Sequence, residues 1–231
     1  MHFDGFPKEL LTFLKTLREN NNKEWFEAHR HEYESLLLEP SRAFVVEMGE
    51  HLQALVPTVN AIPKINGSLF RIYRDIRFSK DKTPIKSRIG VIFWQGSGKR
   101  MQSSSFYLHF SPDELFFAVG IRNFSQSMRD TYREYIKVEQ HRKDLHKILT
   151  LLRKKGYLIP EAHYKRYPKG FSHESPFSEL SLLGGIYAFK VFKPKVYLFS
   201  EDLIHKAYEV YEDMFDLQQW VYEMTLTYVE S

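Results

Sequence analysis

Apolar residues recur at helical spacing through the first quarter of the chain, and they predict three helices. Asn20–Asn22 interrupt the pattern, and an Asn there can cap a second helix that ends at Pro40. Ser41 can cap a third helix that ends at Pro57. Residues 1–57 are therefore predicted to be helical. The first predicted helix is indicated by apolar residues at helical spacing, namely Leu10, Leu11, Leu14 and Leu17.

The middle of the chain changes to short runs rich in Ile, Val, Phe and Tyr, which are typical of strands. Ser111-Pro112-Asp113-Glu114 is a strong turn signal, and the short links favour an antiparallel meander. Residues 64–123 are therefore predicted to be rich in sheet. The predicted strands are 68–76, 88–94, 105–110 and 115–121.

Residues 124–199 mix helices, a loop and strands, and a long C-terminal helix is predicted over 200–229 with Ser200 as its cap. No linker interrupts the pattern. The order of helices, sheet and helices predicts a single α+β domain, with an antiparallel sheet flanked by N-terminal and C-terminal helices. The helices lie near 125–137 and 140–155, and the strands at 186–192 and 195–199.

The composition excludes several classes of site. The chain has no cysteine, which excludes a disulfide scaffold, a thiolate zinc site and a cysteine nucleophile. No HExxH motif occurs, so we expect no metal site, and no pattern names a cofactor. The start has no basic region followed by an apolar one, and no apolar run is as long as a membrane span, so we expect a cytoplasmic protein without membrane contact.

Charge is distributed unevenly along the chain, although the net charge is only +4. Residues 64–100 and 137–173 are strongly basic, and residues 196–231 are acidic. Such blocks create a field that can attract an anion, or they form solvated faces. We prefer solvated faces for the second basic block and the tail. The first block differs because its charges lie among strand-forming residues.

Residues 71–86 concentrate three arginines and three lysines around two aspartates. A regular strand would place Arg74 on the apolar face, where it needs a carboxylate or a bound anion as a partner. Guanidinium groups bind phosphate and carboxylate oxygens in a fork. Asp75 and Asp81 would orient the cations, or one of them could serve as a catalytic base or a metal ligand. The candidate ligand-binding residues are Arg71, Tyr73, Arg74, Arg77, Ser79, Lys82 and Lys86.

Two further segments carry candidate chemistry. Tyr107 and His109 share the polar face of the strand 105–110, where His109 could act as a general acid or base and Tyr107 could contact a ligand. A His that only donates a hydrogen bond is the simpler interpretation. Lys169 lies in a basic, aromatic segment and could reach a phosphate, with Gly170 letting the backbone approach; a packed turn is an equal alternative.

The basic segment also resembles the signature of a family of unknown function, domain of unknown function 2461, found mostly in bacteria with fungal members. The matching string is Arg71-x-Tyr73-Arg74-Asp75-x-Arg77-Phe78-Ser79-x-Asp81-Lys82-x-Pro84-x-Lys86. Further matches are Asn21-Asn22-Lys23-Glu24-Trp25-Phe26, Tyr107-Leu108-His109-Phe110-Ser111-Pro112 and Tyr167-Pro168-Lys169-Gly170-Phe171. This chain departs from the family pattern at Ile85, where the family usually has an aromatic residue, often tyrosine, and at Ser105-Phe106-Tyr107, where it usually has Gly-Tyr-Tyr. The resemblance implies a site at 71–86 and no particular reaction.

Three hypotheses follow from the sequence. The first is a binding pocket for a small phosphorylated or carboxylated ligand at residues 71–86, with or without catalysis. The second is a nucleic-acid-binding protein that uses the basic blocks 64–100 and 137–173 together with its abundant aromatic residues. The third is a non-enzymatic interaction module in which residues 71–86 form a structural salt-bridge network.

Overall fold

The computed structural model describes residues 2–228. The chain folds into two compact units, each assembled from several stretches of sequence. Unit 1 takes the chain up to Phe93, together with Tyr107–Phe117 and Val191–Glu209. Unit 2 takes Trp94–Phe106, Ala118–Lys190 and the chain from Val210 onward. The single domain expected from the sequence therefore stays a prediction.

The fold class is α+β, as predicted, with helices flanking one five-stranded antiparallel sheet. The strands follow one another across the sheet in chain order, which is the meander that short connections favour. Three of the predicted strands have the predicted bounds to the residue, and β2 differs by one residue at each end. The strands are β1 (Val59–Asn60), β2 (Ile89–Gln95), β3 (Ser105–Phe110), β4 (Leu115–Ile121) and β5 (Ile186–Phe192).

The N-terminal region is helical as predicted, but Pro40 does not end a helix. The helix runs on through a π-helical turn at Glu34–Leu38, and Pro40 lies in the first turn after it. Proline lacks an N–H and its ring crowds the carbonyl four residues back, so a wider turn accommodates it. The Oγ of Ser41 is buried without a hydrogen bond to any described residue, so it caps nothing. These helices are α1 (Leu10–Glu19), α2 (Lys23–Ala28), α3 (Arg30–Tyr33) and α4 (Glu39–Leu55).

The predicted strand 68–76 is wrong. The segment forms only isolated bridges, Leu69 with Val91 and Tyr73 with Ile85. Its pairing partner changes from β2 to residues 84–86 within a few residues, so no continuous ladder can form. Phe78, which continued alternation would place on the apolar face just beyond this segment, is 96% exposed.

The second half of the chain confirms two predicted helices and corrects two elements. The predicted strand 195–199 is wrong, since Pro194–Val196 is a 3-10 turn whose carbonyl oxygen at Pro194 accepts from the N–H of Leu198. The predicted C-terminal helix breaks at Met214, where ψ rises to 9°. Its predicted end at residue 229 lies outside the described residues. The helices are α5 (Gln126–Tyr135), α6 (Glu139–Lys154), α7 (Asp202–Asp213) and α8 (Phe215–Leu226).

Within residues 2–228, no helix is both long and apolar enough to cross a membrane.

Candidate functional site

Residues 71–86 form a loop of unit 1, called the basic loop from here on. The two ends of this loop run side by side. The N–H of Arg74 donates to the carbonyl of Pro84 at 2.8 Å, and the N–H of Lys86 donates to the carbonyl of Ile72 at 2.9 Å. Ile72 and Ile85 are both buried at this neck. Paired backbone and two buried side chains therefore fix the ends of the loop, while its middle projects outward.

Asn21 holds the returning strand of the loop from the other side. Its Nδ2 donates to the carbonyl of Ile85 at 2.8 Å, and its Oδ1 accepts from the N–H of Ile85 at 3.0 Å. The side-chain amide of Asn21 thus makes the two hydrogen bonds to the Ile85 backbone that a neighbouring strand would otherwise make. The next residue, Asn22, caps α2 as predicted, because its Oδ1 accepts from the N–H of Trp25 at 2.8 Å.

Tyr73 faces α2 and α3 and not an open site. Its hydroxyl donates to Glu27 Oε1 at 2.8 Å, and the Arg30 guanidinium binds the same carboxylate at 2.7–2.9 Å. Arg30 first and Tyr73 second hold the pKa of Glu27 below its usual value. Burial first, and the Glu27 carboxylate second, raise the pKa of Tyr73, so the hydroxyl keeps its proton and serves as a donor.

Arg74 lies inside the loop and is committed to it. Its guanidinium donates to Asp81, to the Thr83 hydroxyl and, at 3.5 Å, to Ser79. Of the two partners the sequence allowed for Arg74, a carboxylate or an anion, the structure contains the carboxylate. The Arg74 hydrogen bond and then those from Thr83 lower the pKa of Asp81 to about 2. So acidic a carboxyl group is a weak base at neutral pH, which argues against Asp81 as a catalytic base.

Arg77 and Asp75 form a second pair at the tip. Arg77 Nε and Nη2 donate to the two carboxylate oxygens of Asp75 at 2.9 and 2.7 Å. The Arg77 side chain first, and its backbone N–H second, hold the pKa of Asp75 below its usual value. The neighbouring Phe78 is 96% exposed, with the Arg77 guanidinium 5.8 Å from its ring centre. Both aspartates therefore orient cations, as the sequence suggested.

Three cations of the loop form no such ion pair among the described residues. Among residues 2–228, no carboxylate lies within ion-pair distance of Arg71, Lys80 or Lys82. The Lys82 ammonium donates to the carbonyl of Ile76 at 3.0 Å, a neutral acceptor. All three residues are exposed. The sixth cation of the loop, Lys86, donates from its ammonium group to the carbonyl of Arg71 at 2.7 Å. The loop thus keeps a surplus of accessible positive charge after its internal ion pairs have formed.

His109 and Tyr107 share a face of β3, as predicted. His109 is 5% exposed, its Nε2 lies 2.8 Å from Glu114 Oε1, and its ring stacks on Phe116 at 4.6 Å. Tyr107 packs edge-on against Phe70, the residue before the loop, at 5.9 Å between ring centres. The simpler interpretation of His109, a hydrogen-bonding residue in a packed sheet, accounts for these contacts, and a catalytic role stays a prediction.

Lys169 belongs to unit 2, whereas the basic loop belongs to unit 1. It is exposed on a turn in which the N–H of Phe171 donates to the carbonyl of Pro168 at 3.1 Å. The turn is packed through Phe171, which is 8% exposed. This favours the packed-turn alternative, and a phosphate contact by Lys169 remains a prediction. Over the described residues no group of three or more His, Asp or Glu could hold a metal ion.

Sequence reasoning missed the side chains that support the loop from the helices. Asn21, Glu27 and Arg30 contact residues that follow them by more than forty positions, so local periodicity carries no sign of the contacts. The one available signal was the segment Asn21–Phe26, which stood out as part of the family resemblance.

The comparisons agree with that resemblance. The model of a family described as a conserved hypothetical protein, DUF2461, matches residues 9–220. A search of curated proteins finds no match. Because the family model spans nearly the whole chain, including the loop and the helices that support it, the chain belongs to the DUF2461 family.

Proposed function

We propose that the basic loop is an anion-binding surface for ligands that carry phosphate or carboxylate groups. The observation that supports it is the surplus of cations: Arg71, Lys80 and Lys82 are exposed and have no carboxylate partner among residues 2–228. A salt-bridge network built only for structure would explain Arg74 and Arg77, but it does not account for three cations that form no ion pair within the described residues. Most residues of the basic loop between Asp75 and Thr83 are exposed, so we propose a binding surface here in place of the pocket predicted from the sequence.

The ion-paired residues have a supporting part in this proposal. Arg74 and Arg77 hold the loop in shape through Asp81 and Asp75, and a held loop loses less conformational entropy when it binds a ligand. Arg74→Ala is therefore expected to weaken binding indirectly, by loosening the loop. Neither aspartate is proposed as a catalytic group, because both are ionised and already engaged.

Titration calorimetry with inorganic tripolyphosphate tests the proposal. The triple variant Arg71→Gln, Lys80→Gln, Lys82→Gln removes the surplus charge and the Lys82–Ile76 hydrogen bond, while it keeps the Arg74–Asp81 and Arg77–Asp75 ion pairs, and it is expected to lose most of the affinity. A matched control, Lys8→Gln, Lys15→Gln, Lys195→Gln, removes the same charge from exposed lysines elsewhere in unit 1. Equal losses in the two variants would mean that net charge alone attracts the ligand, and the loop would have no special role.

Single-stranded nucleic acid is a second candidate ligand for the same loop, and Phe78 is the observation that favours it. A ring that is 96% exposed, on the same loop as three accessible cations, is a feature that can stack a base while lysine and arginine bind phosphates. Stacking contributes on the order of 1–3 kcal/mol per base, so Phe78→Leu should weaken binding about 5- to 150-fold, whereas Phe78→Trp should retain it.

Fluorescence anisotropy with a labelled single-stranded oligonucleotide distinguishes the two candidates. If three phosphates are neutralised, log Kobs should fall with log salt with a slope of about −2. A Phe78→Leu variant that binds the oligonucleotide as well as the wild type would rule out base stacking. Tripolyphosphate binding would be unaffected by that result, since it depends on the cations.

A further inference from the structure

A cavity in unit 2 has no part in the proposed function. Its volume is about 410 Å³, which lies in the lower range for small-molecule sites. It is lined by residues from three segments, 122–124, 160–164 and 184–187. The first segment follows β4 and the last leads into β5, so the cavity lies where these two neighbouring strands meet. We call it the Arg122 cavity.

Close backbone packing fixes the walls of the Arg122 cavity. A Cβ at Gly185 would lie 2.0 Å from the carbonyl oxygen of Arg122, so only glycine allows the two segments to approach this closely. The N–H groups of His163 and Tyr164 both donate to the carbonyl of Leu182 at 2.9 Å, which anchors the third segment. The cavity is therefore held by backbone contacts and is formed before any ligand arrives.

Arg122 is the cation of the cavity lining. Two further arginines, Arg129 and Arg133, do not line the cavity but contact its lining residue Tyr164, and Arg129 Nη1 donates to the Tyr164 hydroxyl at 2.9 Å. The Arg133 guanidinium lies 4.9 Å and the Arg129 guanidinium 5.6 Å from the ring centre of Tyr164. Both Nε atoms are buried and make no hydrogen bond to any described residue. The one described carboxylate near Arg129 is that of Asp130, at 3.9 Å from Nε. Arg122 itself is exposed in the lining, and no described carboxylate forms an ion pair with it.

The other lining groups are suited to a planar ring. Four of the lining residues, Phe124, His163, Tyr164 and Tyr187, have ring side chains. Glu161, the acidic residue of the lining, can accept hydrogen bonds from hydroxyl or amino groups of a ligand. Flat rings bind a flat ligand by stacking, and an arginine without a carboxylate partner binds its anionic group.

From these observations we propose that the Arg122 cavity binds a small aromatic anion, a heteroaromatic ring that carries a phosphate or carboxylate group and is about the size of a nucleoside monophosphate. Arg122 binds the anionic group, the rings stack on the ligand, and Glu161 accepts from its hydroxyl or amino groups. The Arg122 cavity lies in unit 2 and the basic loop in unit 1, so this site is independent of the anion surface proposed above.

Titration calorimetry on the whole chain with adenosine 5′-monophosphate tests the proposal, with adenosine and ribose 5-phosphate as matched ligands. Charged hydrogen bonds of this kind change affinity by about tenfold or more, so the monophosphate should bind at least that much more tightly than either partial ligand. Equal binding of adenosine would refute the anion contact, and equal binding of ribose 5-phosphate would refute the ring contact. Absence of monophosphate binding at millimolar concentration would refute the proposal as a whole.

Variants then locate the site. Arg122→Gln is expected to reduce monophosphate affinity about tenfold or more, whereas Arg153→Gln, an exposed arginine elsewhere in unit 2, should leave it unchanged. Because the basic loop is proposed to bind phosphate groups as well, the comparison is repeated in the background of the loop variant Arg71→Gln, Lys80→Gln, Lys82→Gln, where the Arg122→Gln effect should persist. A loss in the loop variant with no loss in Arg122→Gln would assign the ligand to the basic loop and overturn the inference.

Discussion

Replacing Asn21 by alanine removes both hydrogen bonds that the side-chain amide makes with the backbone of Ile85. Each such bond contributes about 0.5–1.5 kcal/mol net, so the loss is about 1–3 kcal/mol, with a central value of about 2 kcal/mol. In a chain of this size each kcal/mol corresponds to about 2–4 °C in Tm. Scanning calorimetry should therefore show Tm lower by about 4–8 °C, and the amide of Ile85 should exchange faster with solvent.

Asn20→Ala is the matched control, because the side chain of the neighbouring Asn20 makes one local hydrogen bond among the described residues, from Nδ2 to the carbonyl of Thr16 at 2.9 Å. It should cost no more than about 1 kcal/mol. If Asn21→Ala melts within 1 °C of the wild type, or no lower than Asn20→Ala, the amide does not hold the loop. The reasoning that connects the Asn21–Phe26 segment to the basic loop would then be wrong.

Three further predictions concern a glycine, an ion pair and a helix cap. Gly120→Ala should lower the free energy of unfolding, measured by urea denaturation, by more than about 1 kcal/mol. The reason is that Gly120 has a φ of +122°, and a Cβ there would lie 2.1 Å from the carbonyl oxygen of Ile186. A smaller effect would contradict that close approach. The pKa of Asp81 is lowered to about 2, so the contribution of its carboxylate to loop order is present above pH 4 and is lost as the pH falls towards 2. Protection of the Thr83 amide from exchange, followed by NMR, should therefore decline between pH 4 and pH 2. A decline near pH 6 would contradict this prediction. Ser125→Ala should cost about 1 kcal/mol of unfolding free energy, since its Oγ caps α5, and no change in denaturation midpoint would argue against the cap.

Elements whose signals are local could be predicted from the sequence. β3, β4 and β5 have the predicted bounds because each is a short apolar run between clear turn residues. The predicted strand 68–76 failed because a strand exists only where a partner does, and this segment exchanges its partner midway. Pro40 predicted a helix end, but the π-helical turn before it depends on tertiary packing that local rules do not describe.

The candidate site was only partly visible in the sequence, for the same reason. The density of charge at residues 71–86 identified the loop, and the need for a partner to Arg74 was anticipated. Which partner it has, a carboxylate within the loop, could not be read from alternation because the segment is not a regular strand. Asn21 and Glu27 contact the loop from 64 and 46 positions away, and no periodic pattern encodes such pairs.

An NMR titration of the labelled protein with inorganic tripolyphosphate tests the central claim most directly. The account predicts that the largest amide shifts cluster in the basic loop, around Arg71, Lys80 and Lys82, and saturate with one affinity. In the variant Arg71→Gln, Lys80→Gln, Lys82→Gln these shifts should disappear while the remaining spectrum stays the same. Shifts concentrated outside residues 71–86, or an unaltered spectrum at millimolar tripolyphosphate, would contradict the assignment of the loop as an anion-binding surface.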